Sequence, residues 1–207
     1  MNKEFRIMDW VPRWGITPRH QNQTVASHSL FVAIYTADIC RLIEADNYSR
    51  LYCIEYALIH DTFEVWTSDP PGPAKRSLYD KDKESAYHAR FVEQMGALYG
   101  AMHNCKSFPC KTPLREYLVK DIVKLGDIID SLFYLRIETL RGNLLMDPLF
   151  HREYERFELV LEGFHPTHSN LIREQVEKHL PSVLDKDSLV MIPAMNLDLE
   201  EFKKHGI

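Results

Sequence analysis

The sequence predicts an all-α protein that forms a single domain of about six or seven helices over residues 1–207. Three observations support this fold class: apolar residues recur at helical spacing, few stretches alternate as strands do, and only 8 of 207 residues are glycine. Apolar residues make up 45% of the chain and charged residues 27%, which is ordinary for a globular protein. This composition excludes a collagen-like, low-complexity or fully disordered chain.

The first long helix is predicted from Ser27, with Thr24 or Ser27 as its N-cap. Its apolar positions follow an i, i+3, i+4, i+7 rhythm: Leu30, Val32, Ala33, Ile34, Ala37, Ile39, Cys40 and Ile43. A second helix is expected at 51–66. The prolines at positions 70, 71 and 73 end it, because proline does not continue a helix.

The remaining predicted elements begin with a polar helix at 81–101 and a loop at 104–113. A strongly amphipathic helix follows at 114–141, and its apolar stripe comprises Leu118, Ile122, Leu125, Ile128, Ile129, Leu132 and Leu135. Two shorter helices are expected at 150–162 and 170–179, the second with Asn170 or Ser169 near its cap. The tail from about residue 181 is expected to be a short strand or an ordered arm.

Charge and targeting signals narrow the function classes. The chain has 25 Lys and Arg against 30 Asp and Glu, a net charge of −5, which argues against a non-specific polynucleotide partner. A small anionic substrate is not excluded, because a site can be locally positive. Neither a signal peptide nor a membrane-spanning run is visible, so we expect a cytoplasmic protein with no membrane partner.

The cysteines agree with a reducing compartment. Cys40, Cys53, Cys105 and Cys110 form no CxxC pair, and we interpret them as free thiols. A zinc or disulfide role for Cys105 and Cys110 is the less favoured alternative.

The residues most informative about chemistry lie near the end of the second predicted helix. His60 and Asp61 are adjacent, so on a regular helix they point about 100° apart, and they reach one metal ion only at a helix end or kink. Glu64 follows His60 by four residues and is expected on its face. His28 begins the first long helix, and Asp127 lies within the apolar stripe, where a carboxylate needs a partner.

Two imidazoles and two carboxylates suit Mn²⁺, Co²⁺, Fe²⁺, Ni²⁺ or Zn²⁺ better than Mg²⁺. Each of these residues also has an ordinary explanation, since a histidine on a helix is more often a polar residue than a ligand. Spacing alone does not show that the four side chains meet.

Five short motifs occur in order along the chain: Arg13-Trp14, then 24–30, 57–65, 68–75 and 123–127. The distinctive part is His-Asp-x-x-Glu followed by Asp-x-Pro-x-Pro-x-Lys. In this order they resemble the HD-domain metal-dependent phosphohydrolases, and more closely the bacterial 5′-deoxynucleotidases among them. The chain departs from that pattern at Ala26-Ser27, where many members have Ser-Glu, and at Pro71-Gly72-Pro73. The resemblance covers about residues 11–135.

The resemblance implies a helical HD-domain bundle with one divalent metal ion: Co, Mn, Zn or Fe, with Mg as a further option. The family's four metal ligands correspond to His28, His60, Asp61 and Asp127. Glu64 corresponds to the carboxylate that works with the attacking water.

The same resemblance assigns the substrate contacts. Asp69 matches a second acidic residue, either a proton donor or a water-positioning group, and Arg13 matches a phosphate-contacting arginine. Trp14 matches the aromatic residue that packs on the sugar and favours 2′-deoxy substrates. Lys75 and Arg76 lie where positive charge can meet additional phosphates.

The function implied is removal of phosphate from deoxynucleoside 5′-monophosphates. One alternative is a phage triphosphohydrolase that releases tripolyphosphate from dATP, with a second metal ion bound with the triphosphate. Trp14-Gly15-Ile16 resembles the adenine-pocket segment of those enzymes. A nucleotide-binding regulatory module and a purely structural helical protein are the less favoured alternatives. We also expect a homo-oligomer, which packs through Leu144, Leu145 and Met146.

Overall fold

The computed structural model describes residues 4–15, 17–69 and 116–181. Within these ranges it contains seven α-helices: α1 (Glu4–Ile7), α2 (Val25–Leu42), α3 (Asn47–Ile59), α4 (Glu64–Thr67), α5 (Glu116–Leu140), α6 (Asp147–Leu161) and α7 (Pro166–His179). Short 3-10 helices cover Met8–Trp10 and Leu144–Met146. In the described part of the chain the only β pairing is an isolated bridge between Pro12 and Thr24, so the predicted all-α class is confirmed.

Several predicted features lie outside the described residues. They include the helix at 81–101, the loop at 104–113 and most of the tail beyond residue 181. They also include five single positions: Ile16, Lys75, Arg76, Cys105 and Cys110.

The core forms around α5, which packs against α2, α3 and α6. Its buried positions repeat the predicted apolar stripe: Ile122, Leu125, Ile128, Ile129, Leu132 and Leu135. Helix α5 therefore places two of its carboxylates, Asp127 and Asp130, next to buried residues.

Helix α2 begins with a capping box in which Thr24 is the N-cap and Ser27 is its N3 partner. The alternative, Ser27 as the cap, is wrong. The predicted apolar stripe is also too wide, because Leu30 and Ile34 are exposed. Helix α2 crosses close to α5, since a Cβ at Gly126 would lie 2.6 Å from Thr36 Oγ1. Glycine at this crossing lets α2 approach α5 one residue before Asp127.

The second predicted helix is two helices in the structure. Helix α3 ends at Ile59 with His60 as its C-cap, and α4 begins at Glu64. The prediction that Glu64 lies one regular turn beyond His60 on the same helix is therefore wrong. This break provides the helix end that the adjacent residues His60 and Asp61 need in order to reach one metal ion.

Two further predictions need correction. Helix α7 begins at Pro166 with His165 as its N-cap, not at Ser169 or Asn170, because proline is favoured at the first helical position. Met146 is fully buried, so the expected oligomer surface is reduced to Leu144 and Leu145, both of which are exposed.

Among the described helices none is long and apolar enough to span a bilayer. Cys40 and Cys53 are buried free thiols, as the cysteine pattern predicts for these two.

Candidate active site

Three helical segments bring the candidate metal ligands together. Helix α2 supplies His28, the end of α3 supplies His60 and Asp61, and α5 supplies Asp127. One ligand atom from each of His28, His60 and Asp127 lies within 4.8 Å of the other two. Asp61 Oδ2 lies 3.6 Å from His28 Nε2 and 3.3 Å from His60 Nε2. Two nitrogen and two oxygen donors at these distances suit a divalent transition-metal ion.

The charges of this cluster favour a cation. Burial opposes protonation of His60, but Asp61 and Asp127 favour it, and the pKa of His60 is raised to about 9. Burial alone would raise the pKa of Asp127. Lys124, whose Nζ lies 2.6 Å from Asp127 Oδ2, acts with His28 and His60 to hold that pKa well below its ordinary value. The carboxylate of Asp127 is therefore held in its ionised form, and the cluster attracts positive charge.

A further carboxylate on α5, Asp130, lies in this cluster and was missed by the sequence analysis. It is 4% exposed, and its Oδ2 lies 2.6 Å from His28 Nδ1. The same oxygen accepts a hydrogen bond from Gln23 Nε2 at 2.7 Å. Its position three residues after Asp127, within the apolar stripe, was the available signal.

The other half of the site is the 12–24 loop, which the structure describes at residues 12–15 and 17–24. Its two ends are joined, because Val25 N donates to Val11 O at 2.9 Å and Arg13 N donates to Gln23 O at 2.8 Å. A loop whose two ends are joined in this way resembles an Ω-loop. It places Arg13 and Trp14 next to the start of α2.

Side chains of α5, together with Asn143, hold this loop in place through hydrogen bonds. Glu138 is fully buried, and its two carboxylate oxygens accept from His20 N and Gln21 N, each at 2.8 Å. Tyr134 Oη donates to Gln21 O at 2.6 Å, and Asn143 Nδ2 donates to Glu138 Oε2 at 3.0 Å. These anchors were missed because all of them are more than a hundred residues away from the loop in sequence.

Arg13 is buried between two carboxylates. Its Nε lies 3.7 Å from Asp69 Oδ2 and its Nη1 lies 3.7 Å from Asp130 Oδ2. Among the described residues, neither nitrogen has a hydrogen-bond acceptor. Burial opposes the charge of Arg13, but Asp127, Asp61 and the two flanking aspartates favour it and raise its pKa. A charged guanidinium with unused buried donors is suited to binding an anion.

Trp14 is held in an uncommon conformation. Its φ is 59°, the left-handed region that bulky residues rarely adopt. Its ring stacks on Tyr134, with centroids 5.4 Å apart and planes 3° from parallel. Its backbone N–H donates to Asp69 Oδ2 at 3.2 Å, and Arg19 Nη1 donates to its carbonyl at 2.9 Å. Such strain persists only where the surroundings fix the residue, which is frequent in functional sites.

The two predicted catalytic carboxylates have different surroundings. Glu64 is fully buried at the first position of α4. Asp69 lies beside Arg13 and Trp14, as described above, two residues after α4 ends. The structure therefore brings Asp69 to the loop side of the site.

Comparison with solved structures gives the same fold. A cyanophage S-2L HD phosphohydrolase, DatZ, solved with dA and one catalytic Zn²⁺, is similar with a TM-score of 0.69 and 17% identity over 87% of this chain and 96% of that one. An HD-domain phosphohydrolase from Listeria innocua gives a TM-score of 0.62 at 18% identity, covering 91% and 94% of the two chains. The helical bundle of this chain is therefore the fold of these HD-domain phosphohydrolases.

Sequence comparison identifies the family to which the chain belongs. The chain belongs to the YfbR-like 5′-deoxynucleotidase family, whose model matches residues 3–180. It is also 26% identical over 138 residues to 4′-phosphooxetanocin A phosphatase from Priestia megaterium, covering 64% of this chain and 70% of that protein. The resemblance seen in the motifs is confirmed, and the protein is a deoxynucleotide phosphohydrolase.

Proposed function

We propose that the protein removes the 5′-phosphate from deoxynucleoside monophosphates and releases a deoxynucleoside and inorganic phosphate. One observation carries this proposal: the buried Arg13 guanidinium, with unused donors, lies beside a cluster of histidines and carboxylates. A phosphate group is the anion that an arginine and a divalent cation bind together. Membership of a 5′-deoxynucleotidase family supports the choice of substrate.

His28, His60, Asp61 and Asp127 are the residues that would hold the metal ion, with Mn, Co, Zn or Fe preferred to Mg. When bound, such an ion supplies a Lewis acid for a phosphoryl oxygen and lowers the pKa of water.

The protein's own side chains handle the protons and the charge. Glu64 takes a proton from the attacking water, whose oxygen forms the new bond to phosphorus. Asp69 either takes up a proton from solvent and delivers it to the 5′ oxygen as the bond between that oxygen and phosphorus breaks, or it positions the attacking water. Arg13 binds the non-bridging phosphate oxygens in a bidentate contact, which lysine reproduces poorly.

Trp14 is proposed to pack on the sugar and to favour 2′-deoxy substrates. Its rigid attachment to Tyr134 and Asp69 supports this role, because a fixed ring leaves little room for an added hydroxyl. A 4′-phosphooxetanocin A phosphatase among the relatives is consistent with phosphate removal from a nucleoside-like substrate.

The second candidate function is that of a phage triphosphohydrolase, which hydrolyses a deoxynucleoside triphosphate such as dATP and releases tripolyphosphate. The similarity to a cyanophage structure that holds dA supports it. Lys75 and Arg76 would then meet the additional phosphates, and a second metal ion would accompany the triphosphate.

A product assay separates the two candidates. Purified protein is supplied with Mn²⁺, Co²⁺, Zn²⁺ or Mg²⁺ and offered each dNMP, each dNTP and the matching ribonucleotides. Inorganic phosphate from dNMPs, with ribonucleotides turned over at least about tenfold more slowly, supports the proposal. Tripolyphosphate from a dNTP, without phosphate from dNMPs, supports the second candidate. Tight binding without either product indicates a regulatory module.

A homo-oligomer stays a prediction, with the exposed Leu144 and Leu145 as the proposed contact. A cytoplasmic location likewise stays a prediction, with which the free thiols of Cys40 and Cys53 agree.

A further inference from the structure

An unbroken chain of side-chain hydrogen bonds joins the two halves of the site. Trp14 Nε1 donates to Gln23 Oε1 at 3.0 Å, and Gln23 Nε2 donates to Asp130 Oδ2 at 2.7 Å. Asp130 Oδ2 lies 2.6 Å from His28 Nδ1. The chain thus runs from the proposed sugar-packing residue to a proposed metal ligand, through two residues with no role so far.

The indole donor of Trp14 sets the direction of the hydrogen bonds as far as Asp130. An indole N–H donates and never accepts, so the Gln23 amide must turn its oxygen to Trp14 and its nitrogen to Asp130. A hydrogen bond from His28 Nδ1 to Asp130 Oδ2, 2.6 Å away, places the ring hydrogen on Nδ1. The lone pair is then on Nε2, the nitrogen 3.2 Å from Asp127 Oδ1, which is the tautomer that a metal ligand needs.

The intermediate groups are shielded from water. Gln23 is 6% exposed, Asp130 is 4% exposed, and His28 is fully buried. A buried polar group that loses its partner has no water to replace it, so each member fixes the orientation of the next.

We propose that Gln23 and Asp130 are positioning residues that couple the Trp14 ring to His28, so that metal affinity and the preference for 2′-deoxy substrates depend on the same two side chains. We call this chain of four residues the Trp14–His28 relay. The sugar half of this inference rests on the proposed function, and the metal half does not.

Metal titration without substrate tests the metal half. The metal-free protein is titrated with Mn²⁺ or Zn²⁺ alone by calorimetry. Asp130→Asn keeps the shape of the side chain but removes its charge, and we expect about ten- to hundredfold weaker binding. Gln23→Met removes both of its hydrogen bonds and is expected to weaken binding several-fold. Asp38→Asn and Gln175→Met, exposed changes of the same kind, are the matched controls.

Substrate selectivity tests the sugar half. The ratio of kcat/KM for a dNMP to that for the matching ribonucleotide is expected to fall about fivefold or more in Gln23→Met and in Asp130→Asn. For Gln23→Met the change is expected mainly in KM. Trp14→Phe keeps an aromatic ring without the indole donor, and it is expected to lower the same ratio and to weaken metal binding. If Asp130→Asn does not fold, Trp14→Phe provides the test through the same two measurements.

The outcomes separate the relay from the proposed function. Wild-type turnover of dNMPs, with metal affinity and selectivity unchanged in the variants, overturns the relay and leaves the function intact. Absence of wild-type turnover on any deoxynucleotide contradicts the function, while the metal titration still decides the metal half. Variants that lose only thermal stability, with both readouts at wild-type values, also overturn the relay.

Discussion

The proposed metal ligands and the 12–24 loop contribute to one site but are held in different ways. His28, Asp127 and the His60–Asp61 pair are positioned by helix packing, with Gly126 allowing α2 to approach α5 closely. Arg13 and Trp14 belong to an irregular loop whose shape depends on buried side chains of α5, above all Glu138.

This difference predicts different responses to mutation. A ligand on a packed helix can be removed without loss of the fold, so the effect falls on metal binding and chemistry. A loop anchor supports backbone groups far away in sequence, so its loss affects stability and substrate binding. The predictions below test this distinction from the largest expected effect to the smallest.

Asp61→Ala is expected to have the largest effect. It removes one of the proposed oxygen ligands, so bound metal is lost and phosphate release from dNMPs falls by about a thousandfold or more, since the metal stabilises the transition state by several kcal/mol. Metal content by elemental analysis and phosphate release are measured together, with circular dichroism to confirm the helical fold. Full metal occupancy in this variant would count against Asp61 as a ligand.

Glu64→Gln is expected to separate chemistry from metal binding. The amide fits the same buried space but takes no proton from water, so kcat should fall by about 10²- to 10⁴-fold while one metal ion per chain is retained. A near-wild-type kcat would exclude Glu64 as the base.

Glu138→Gln is the corresponding change on the loop side. An amide accepts through one atom only, so one of the two backbone N–H groups of His20 and Gln21 loses its buried acceptor. We expect a loss of about 1–3 kcal/mol in the free energy of unfolding and a rise in KM that exceeds any fall in kcat. Urea denaturation and steady-state kinetics measure both, with the exposed Glu155→Gln as control. Unchanged KM and stability would show that α5 does not hold the loop.

Thr24→Ala is expected to have the smallest effect. It removes the capping box at the junction between the loop and α2, which costs about 1 kcal/mol of unfolding free energy. Metal affinity should stay at its wild-type value, because the remaining turns of α2 are packed against α5. A large fall in metal affinity would contradict the claim that helix packing positions His28. Thr167→Ala, exposed at the start of α7, is the control.

The difference between helix packing and side-chain anchoring also explains which features the sequence could predict. Apolar periodicity located α2, α5 and α6, and the proposed ligands were found because His28, Asp127 and the His60–Asp61 pair stand on such periodic segments. Gln23 and Glu138 were missed because their partners are more than 100 residues away, and local spacing carries no information about such contacts. Asp130 had a local signal, its position three residues after Asp127, but spacing does not identify His28 as its partner. The break between α3 and α4 was missed because 51–66 contains neither proline nor glycine to mark a helix end.

Metal dependence of deoxynucleotide hydrolysis is the most direct test of the central claim. The protein is stripped with a chelator, and Mn²⁺, Co²⁺ or Zn²⁺ is added back in steps while phosphate release from dNMPs is followed. The account predicts no turnover in the stripped protein and full recovery at about one equivalent of metal per chain, with the same titration failing in Asp61→Ala. Undiminished phosphate release from the stripped protein would contradict it.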